Sequence, residues 1–183
     1  MSKESIILGI DPGTTVMGYG VIKIENSRMT LLDIGAIKFS ADKVHEQKLK
    51  DIYDEMILLI DKHHPDHLAI EAQFFGKNVQ SMLKLGRAQG VAIAAALSRG
   101  IPFTEYAPKK VKMSITGNGN ASKEQVAKML QTLLNTKTLP EPLDATDGLA
   151  TAVCHYFQGG SKSEGKKYSG WEAFVKQNPG KTK

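Results

Sequence analysis

A chain of 183 residues, 41% of them hydrophobic, predicts one α/β domain built on a mixed five-stranded sheet with helices on both faces. Two observations carry the prediction. Three strand-like runs follow one another at the start with only short links, which implies an antiparallel meander. Strand and helix patterns then alternate, which adds strands by crossover and lays helices against the sheet.

The first strand is Ile6-Ile7-Leu8-Gly9-Ile10, an apolar run bounded by turn residues and therefore expected inside the sheet. Gly18 to Ile24 and Met29 to Phe39 form the second and third, joined by a turn at Glu25-Asn26-Ser27-Arg28. From Gln47 to His63 the apolar residues Leu49, Ile52, Tyr53, Met56, Leu59 and Ile60 recur at helical spacing, giving an amphipathic helix that Pro65 ends. It crosses over to a fourth strand, Leu68-Ala69-Ile70-Glu71. A second helix is expected from about Val79 to Leu97, with a break at Gly100 and Pro102 before a short fifth strand, Phe103 to Tyr106. Helices follow near Lys109 to Ile115, Lys123 to Leu134 and Ala145 to Phe157; Ser122 and Gln125 make a capping box for the second of these. The domain is expected over 1–158. From Gly159 onward Gly, Ser and Lys dominate, so 159–183 reads as a flexible tail whose large apolar groups are Trp171 and Phe174. Ala88, Ala92, Ala95 and Ala96 would permit close helix approach, in a dimer or against the chain's own sheet.

The lone cysteine, Cys154, excludes an internal disulfide framework and fits a reducing compartment. The start carries no secretory pattern, and the longest apolar stretch, around Val91 to Leu97, is too short to span a bilayer. The expectation is a cytoplasmic protein without membrane partners. Net charge is +5, unevenly spread. Residues 1–71 hold twelve acidic against eight basic side chains, whereas residues 72–137 hold ten basic against two acidic. Basic side chains grip phosphates and carboxylates hold metal, so this division suits a metal-dependent activity on nucleic acid.

Asp11 ends the first apolar strand and begins the turn Asp11-Pro12-Gly13, and Glu71 ends the fourth strand in the same way. Alone, each is an ordinary turn or strand-end residue. Asp144 and Asp147 sit three apart in the first turn of the last helix, where they share a face; singly, each would only complement the helix dipole. Four acids at element ends make a site. An all-oxygen donor set without a His or Cys cluster favours a hard cation, Mg²⁺ or Mn²⁺, over zinc. Two such ions about 4 Å apart stabilise both the attacking and the leaving oxygen of a phosphodiester. Thr151 and His155 share the face of Asp144 and Asp147, but His155 lies about 12 Å of helix beyond Asp147 and is read as structural. His45, His63, His64 and His67 lie on or beside the first helix and are expected to face water.

Gly9-Ile10-Asp11-Pro12-Gly13-Thr14, Ala69-Ile70-Glu71 and Asp144-Ala145-Thr146-Asp147-Gly148-Leu149-Ala150, in this order and spacing, closely resemble the RuvC family of Holliday-junction resolvases within the ribonuclease-H-like nucleases. The likeness runs over roughly Ile6 to His155 and includes Lys84-Leu85-Gly86 and Gly90-Val91-Ala92-Ile93. It implies a ribonuclease-H-like fold, a homodimer that nicks strands of like polarity at a four-way DNA junction with Mg²⁺, two ions per active site and Mn²⁺ as a substitute, and partnership with the RuvA and RuvB branch-migration proteins. By the same matching, Asp11, Glu71, Asp144 and Asp147 are metal-binding acids, Lys112 and Lys123 stand near the scissile phosphate, and Phe74 is an aromatic near the junction centre. Lys77, Lys84, Arg87, Lys109 and Lys110 are candidates for general phosphate contact. The glycines of Thr116-Gly117-Asn118-Gly119-Asn120 would allow close backbone approach to DNA, as would any interhelical turn. Ala72, directly after Glu71, departs from the polar residue expected there.

Three competing readings remain at this level. The Asp11 loop also resembles the first phosphate loop of actin-like and sugar-kinase ATPases, but those need two related lobes. Related ribonuclease-H-like proteins process ribosomal RNA. A junction-binding scaffold without catalysis would not need four intact acids.

Overall fold

The computed structural model describes residues 4–73, 78–136, 138–139 and 144–159. In chain order the elements are β1 (Ser5–Asp11), β2 (Val16–Glu25), β3 (Arg28–Lys38), α1 (His45–His63), β4 (His67–Glu71), α2 (Val79–Ser98), β5 (Phe103–Tyr106), α3 (Pro108–Thr116), α4 (Lys123–Leu133) and α5 (Asp144–Phe157). The sheet order is β3-β2-β1-β4-β5. The first three strands pair antiparallel, and β4 and β5 extend the sheet in parallel from β1. Asn26 and Ser27 both adopt left-handed backbone (φ 50° and 63°), the two-residue hairpin geometry whose twist suits antiparallel strands.

Alternation along the strands divides the core in two. Leu8, Ile10, Val21, Leu68 and Ile70 pack with Ile52, Met56 and Ile60 of α1 and with Ala88, Ala92, Ala95 and Ala96 of α2. Ile7, Ile22, Ala69 and Tyr106 point the other way and pack with α3, α4 and α5. The four alanines are fully buried against the chain's own sheet, which decides between the two packings open to them.

The histidines differ from expectation. The His63 ring donates to the Asp33 carboxylate on β3 at 2.9 Å, and Lys62 donates to the same carboxylate at 2.7 Å, so the end of α1 is tied to β3. His67, half-buried, stacks on the buried ring of His155 with centroids 4.1 Å apart and meets the Thr104 hydroxyl at 2.9 Å. His45 is half-buried, and its Nε2 has no hydrogen-bond partner. Of the four, His64 faces water, in the left-handed conformation that closes α1. Helical period places these rings on an element but is blind to partners from distant strands.

Candidate active site

Residues two apart on a strand face the same side. Ile7, Gly9 and Asp11 therefore share the α5 side of β1, and His67, Ala69 and Glu71 share that side of β4. The strands run parallel with Ile10 beside Ile70, so Asp11 and Glu71 emerge side by side where both strands end. The Ala72 N–H donates to the Tyr106 carbonyl at 2.9 Å, carrying the pairing with β5 one residue beyond Glu71. The Gln73 amide reaches the Pro12 carbonyl at 3.4 Å and links the two strand ends.

Glycines bring the other two acids into place. A side-chain carbon at Gly9 would lie 2.2 Å from the Gly148 carbonyl oxygen, and one at Gly20 would lie 2.4 Å from the Leu149 Cα. At Gly18 it would lie 2.0 Å from the carbonyl oxygen of Asp144 itself. Helix α5 thus crosses β1 and β2 at backbone contact, which no larger residue permits. The first turn of α5 is held over the end of β1 and the start of β2, which brings Asp147 into the field of both Asp11 and Glu71 and Asp144 into that of Asp11.

The electrostatics record that convergence. Burial pushes the Asp11 carboxyl up to about 7, with repulsion from Asp147 and Asp144 adding to it and Lys123 opposing. Burial likewise raises Glu71 to about 8, reinforced by Asp11 and Asp147 and opposed by Lys112 and Lys123. Lys123 donates to Asp144 Oδ1 at 3.0 Å and pairs with Asp147 Oδ2 at 2.6 Å. Partial burial works against the Lys123 ammonium, but its bonds to Asp147 and Asp144 outweigh that and raise its pKa above the ordinary value. Both lysines read from the sequence as phosphate neighbours accordingly stand in the field of the acids.

An all-carboxylate cluster of partly desolvated, mutually repelling groups fits a hard divalent cation, which would neutralise it. Among the described residues, no three His, Cys, Asp or Glu side chains are gathered closely enough to hold an ion as they stand. Asp144 and Asp147 both pair with Lys123.

The remaining candidates divide. Lys84 and Arg87 are exposed on α2, and Lys109 is exposed on α3. Lys110 lies over the Tyr106 ring, 5.4 Å from its centroid. Phe74, Lys77 and the tail residues Trp171 and Phe174 lie outside the described residues. The expected capping box of Ser122 and Gln125 is present and sets the start of α4, and with it the position of Lys123. Sequence reasoning passed over the spacing role of Gly9, Gly18, Gly20 and Gly148; Gly148, inside a helix directly after Asp147, was the signal available.

A mixed sheet whose central antiparallel and parallel strands and last helix each deliver acids to one end defines a ribonuclease-H-like nuclease. Comparison with known proteins narrows the class. The sequence model of the family "Crossover junction endodeoxyribonuclease RuvC" matches residues 7–155. The enzyme of that name from Christiangramia forsetii is 64% identical over 181 residues, covering 99% of this chain and 94% of that one. Its counterpart from Cytophaga hutchinsonii is 58% identical, with 98% of this chain and 89% of that one covered. The solved structure of Thermus thermophilus RuvC in complex with Holliday junction substrate superposes with a TM-score of 0.79 at 32% identity, over 85% of this chain and 94% of that chain. The chain belongs to the RuvC crossover junction endodeoxyribonuclease family.

Proposed function

We propose that Asp11, Glu71, Asp144 and Asp147 form the metal-dependent catalytic centre of this endodeoxyribonuclease, which resolves Holliday junctions by paired phosphodiester hydrolysis in recombination and repair. The observation that supports the site assignment is that β1 and β4 end side by side at Asp11 and Glu71, with the first turn of α5, which carries Asp144 and Asp147, in backbone contact with β1 and β2. Those carboxylates would hold two Mg²⁺ ions, with Mn²⁺ as a substitute. Bound there, the cations supply Lewis-acid stabilisation of the attacking and leaving oxygens.

The chain's own groups do the rest. Lys112 and Lys123 offer fixed positive charge to a phosphodiester beside the acids, where negative charge develops as it is cleaved. Phe74 would stack on an exposed base near the junction centre. Lys77, Lys84, Arg87, Lys109 and Lys110 would grip phosphates less specifically, with Lys110 shared with Tyr106.

A homodimer suits paired nicks. It is supported by a stripe along α2, where Val79, Leu83 and Leu97 are exposed and Gly86 and Gly90 have open space above them. Leu83→Glu should convert the dimer to a monomer by light scattering. Partnership with the RuvA and RuvB branch-migration proteins is part of this proposal and is supported by the family resemblance alone. No helix among the described residues is long and apolar enough to cross a membrane.

The deciding assay incubates the protein with a synthetic four-way junction, a linear duplex and a structured RNA, each with and without Mg²⁺, and maps the nicks. Symmetric nicks confined to the junction and to the Mg²⁺ arm are expected. Equal cleavage of RNA, or cleavage without metal, would refute the proposal.

A further inference from the structure

We infer that Lys123 is a counter-ion that bridges Asp144 and Asp147 and exchanges with a divalent cation for those carboxylates, turning to the substrate phosphate as the cation takes them. The inference rests on the metal reading of the four acids given above, and it adds an exchange between two cations. Three observations carry it.

First, the ammonium is in contact with both acids, at 3.0 Å from Asp144 Oδ1 and 2.6 Å from Asp147 Oδ2. One group thereby holds two side chains that would serve as ligands to a divalent cation.

Second, Lys123 is the first residue of α4, directly after its N-cap Ser122. A cation at a helix N-terminus opposes the macrodipole and gains nothing for the helix. Its position is explained by the acids it meets.

Third, the side chains of Lys123 and Asp144 are 46% and 45% exposed, whereas that of Asp147 is 17% exposed. The bridge therefore lies at the solvent edge of the site. A lysine is a compact point charge on a flexible four-carbon stem, so it can leave the carboxylates without moving α4. The solvent edge is also where a DNA backbone would lie. Exchange would couple the two events: loading metal frees the positive charge that the phosphate then meets.

The test uses the full-length protein without DNA and Mn²⁺ as the probe. Calorimetric titration of the unaltered protein, Lys123→Met and Lys112→Met gives three dissociation constants. Lys123→Met should bind Mn²⁺ roughly tenfold more tightly, because a unit charge in contact with two ligands has been removed. Lys112→Met should gain less than about threefold, since Lys112 acts only through the field. In parallel, acetylation of Lys123 by acetic anhydride, read by mass spectrometry, should speed up when Mn²⁺ or Mg²⁺ is added. Unchanged or weaker Mn²⁺ binding by Lys123→Met, or acetylation indifferent to metal, overturns the exchange while leaving the metal site standing. Absence of any saturable Mn²⁺ binding by the unaltered protein overturns the metal site, and the exchange with it.

Discussion

The two faces of the sheet are built on different principles. Toward α1 and α2, contact is side chain on side chain: Leu8, Ile10, Ile52, Met56 and Ile70 are wholly buried and interdigitate. Toward α5, contact is backbone on backbone through Gly9, Gly18, Gly20 and Gly148. A side-chain core relaxes around a lost methyl group, because neighbouring rotamers adjust. A backbone contact has no such freedom. All four acids lie on the unyielding face, so the part of the core that tolerates least is also the part that sets the separation of the charged groups.

The largest effect should follow from filling that contact. A side chain at Gly148 would meet the Gly18 carbonyl oxygen at 2.5 Å and the Tyr19 Cα at 2.6 Å. Gly148→Val should cost more than about 4 kcal/mol in urea denaturation, with folding itself at risk. A loss below about 1 kcal/mol would mean that α5 can lift off the sheet, and the contrast between the faces would fail.

Next comes a change on the same face that spares the packing. Asp11→Asn keeps size and removes charge, so junction cleavage should fall by about a thousandfold, some 4 kcal/mol in the barrier. Stability at neutral pH should hold or rise slightly, because burial and the repulsion from Asp147 already disfavour that charge. Gel-shift affinity and a urea melt on the same preparation separate the effects. Loss of folding would return Asp11 to an ordinary turn residue.

How much of this was legible depends on how far apart the partners lie. The apolar run into Asp11, the one into Glu71 and the first turn of α5 announce themselves within a few residues, and so do the meander and the capping box at Ser122. Lys123 was legible only through the family resemblance, as a lysine near the scissile phosphate; its bridge spans 21 and 24 positions, to Asp144 and Asp147, and no local pattern shows its direction. The glycine contacts join β1 and β2 to a helix more than a hundred residues later. The histidines were misread for the same reason. Asp33 meets His63 from thirty residues upstream, and His155 comes to His67 from the other end of the chain.

The His67–His155 stack gives the third effect. Burial lowers the His155 imidazole to about 4, with the His67 charge adding to it, and burial lowers His67 as well. A group whose folded value is depressed leaves the unfolded chain binding the extra proton. For His155 the stabilising difference is therefore complete above about pH 6.5 and is lost as pH falls toward 4, a drop on the order of 2–3 kcal/mol. Urea midpoints between pH 7 and 4 should show it, and His155→Phe should flatten that part of the profile. An unaltered slope would mean that His155 is not the group titrating.

The smallest effect belongs to the tolerant face, and it is the control that makes the others interpretable. Ile52 of α1 is fully buried among Leu8, Met56 and their neighbours. Ile52→Val removes one methylene there and should cost about 1 kcal/mol, with junction cleavage unchanged. The stability loss is of a kind this packing can absorb, and the acids hang from β1, β4 and α5 on the opposite side of the sheet. A cleavage rate that fell in proportion to stability would show that the α1 side also sets the spacing of the carboxylates, and the division of labour between the faces would be lost.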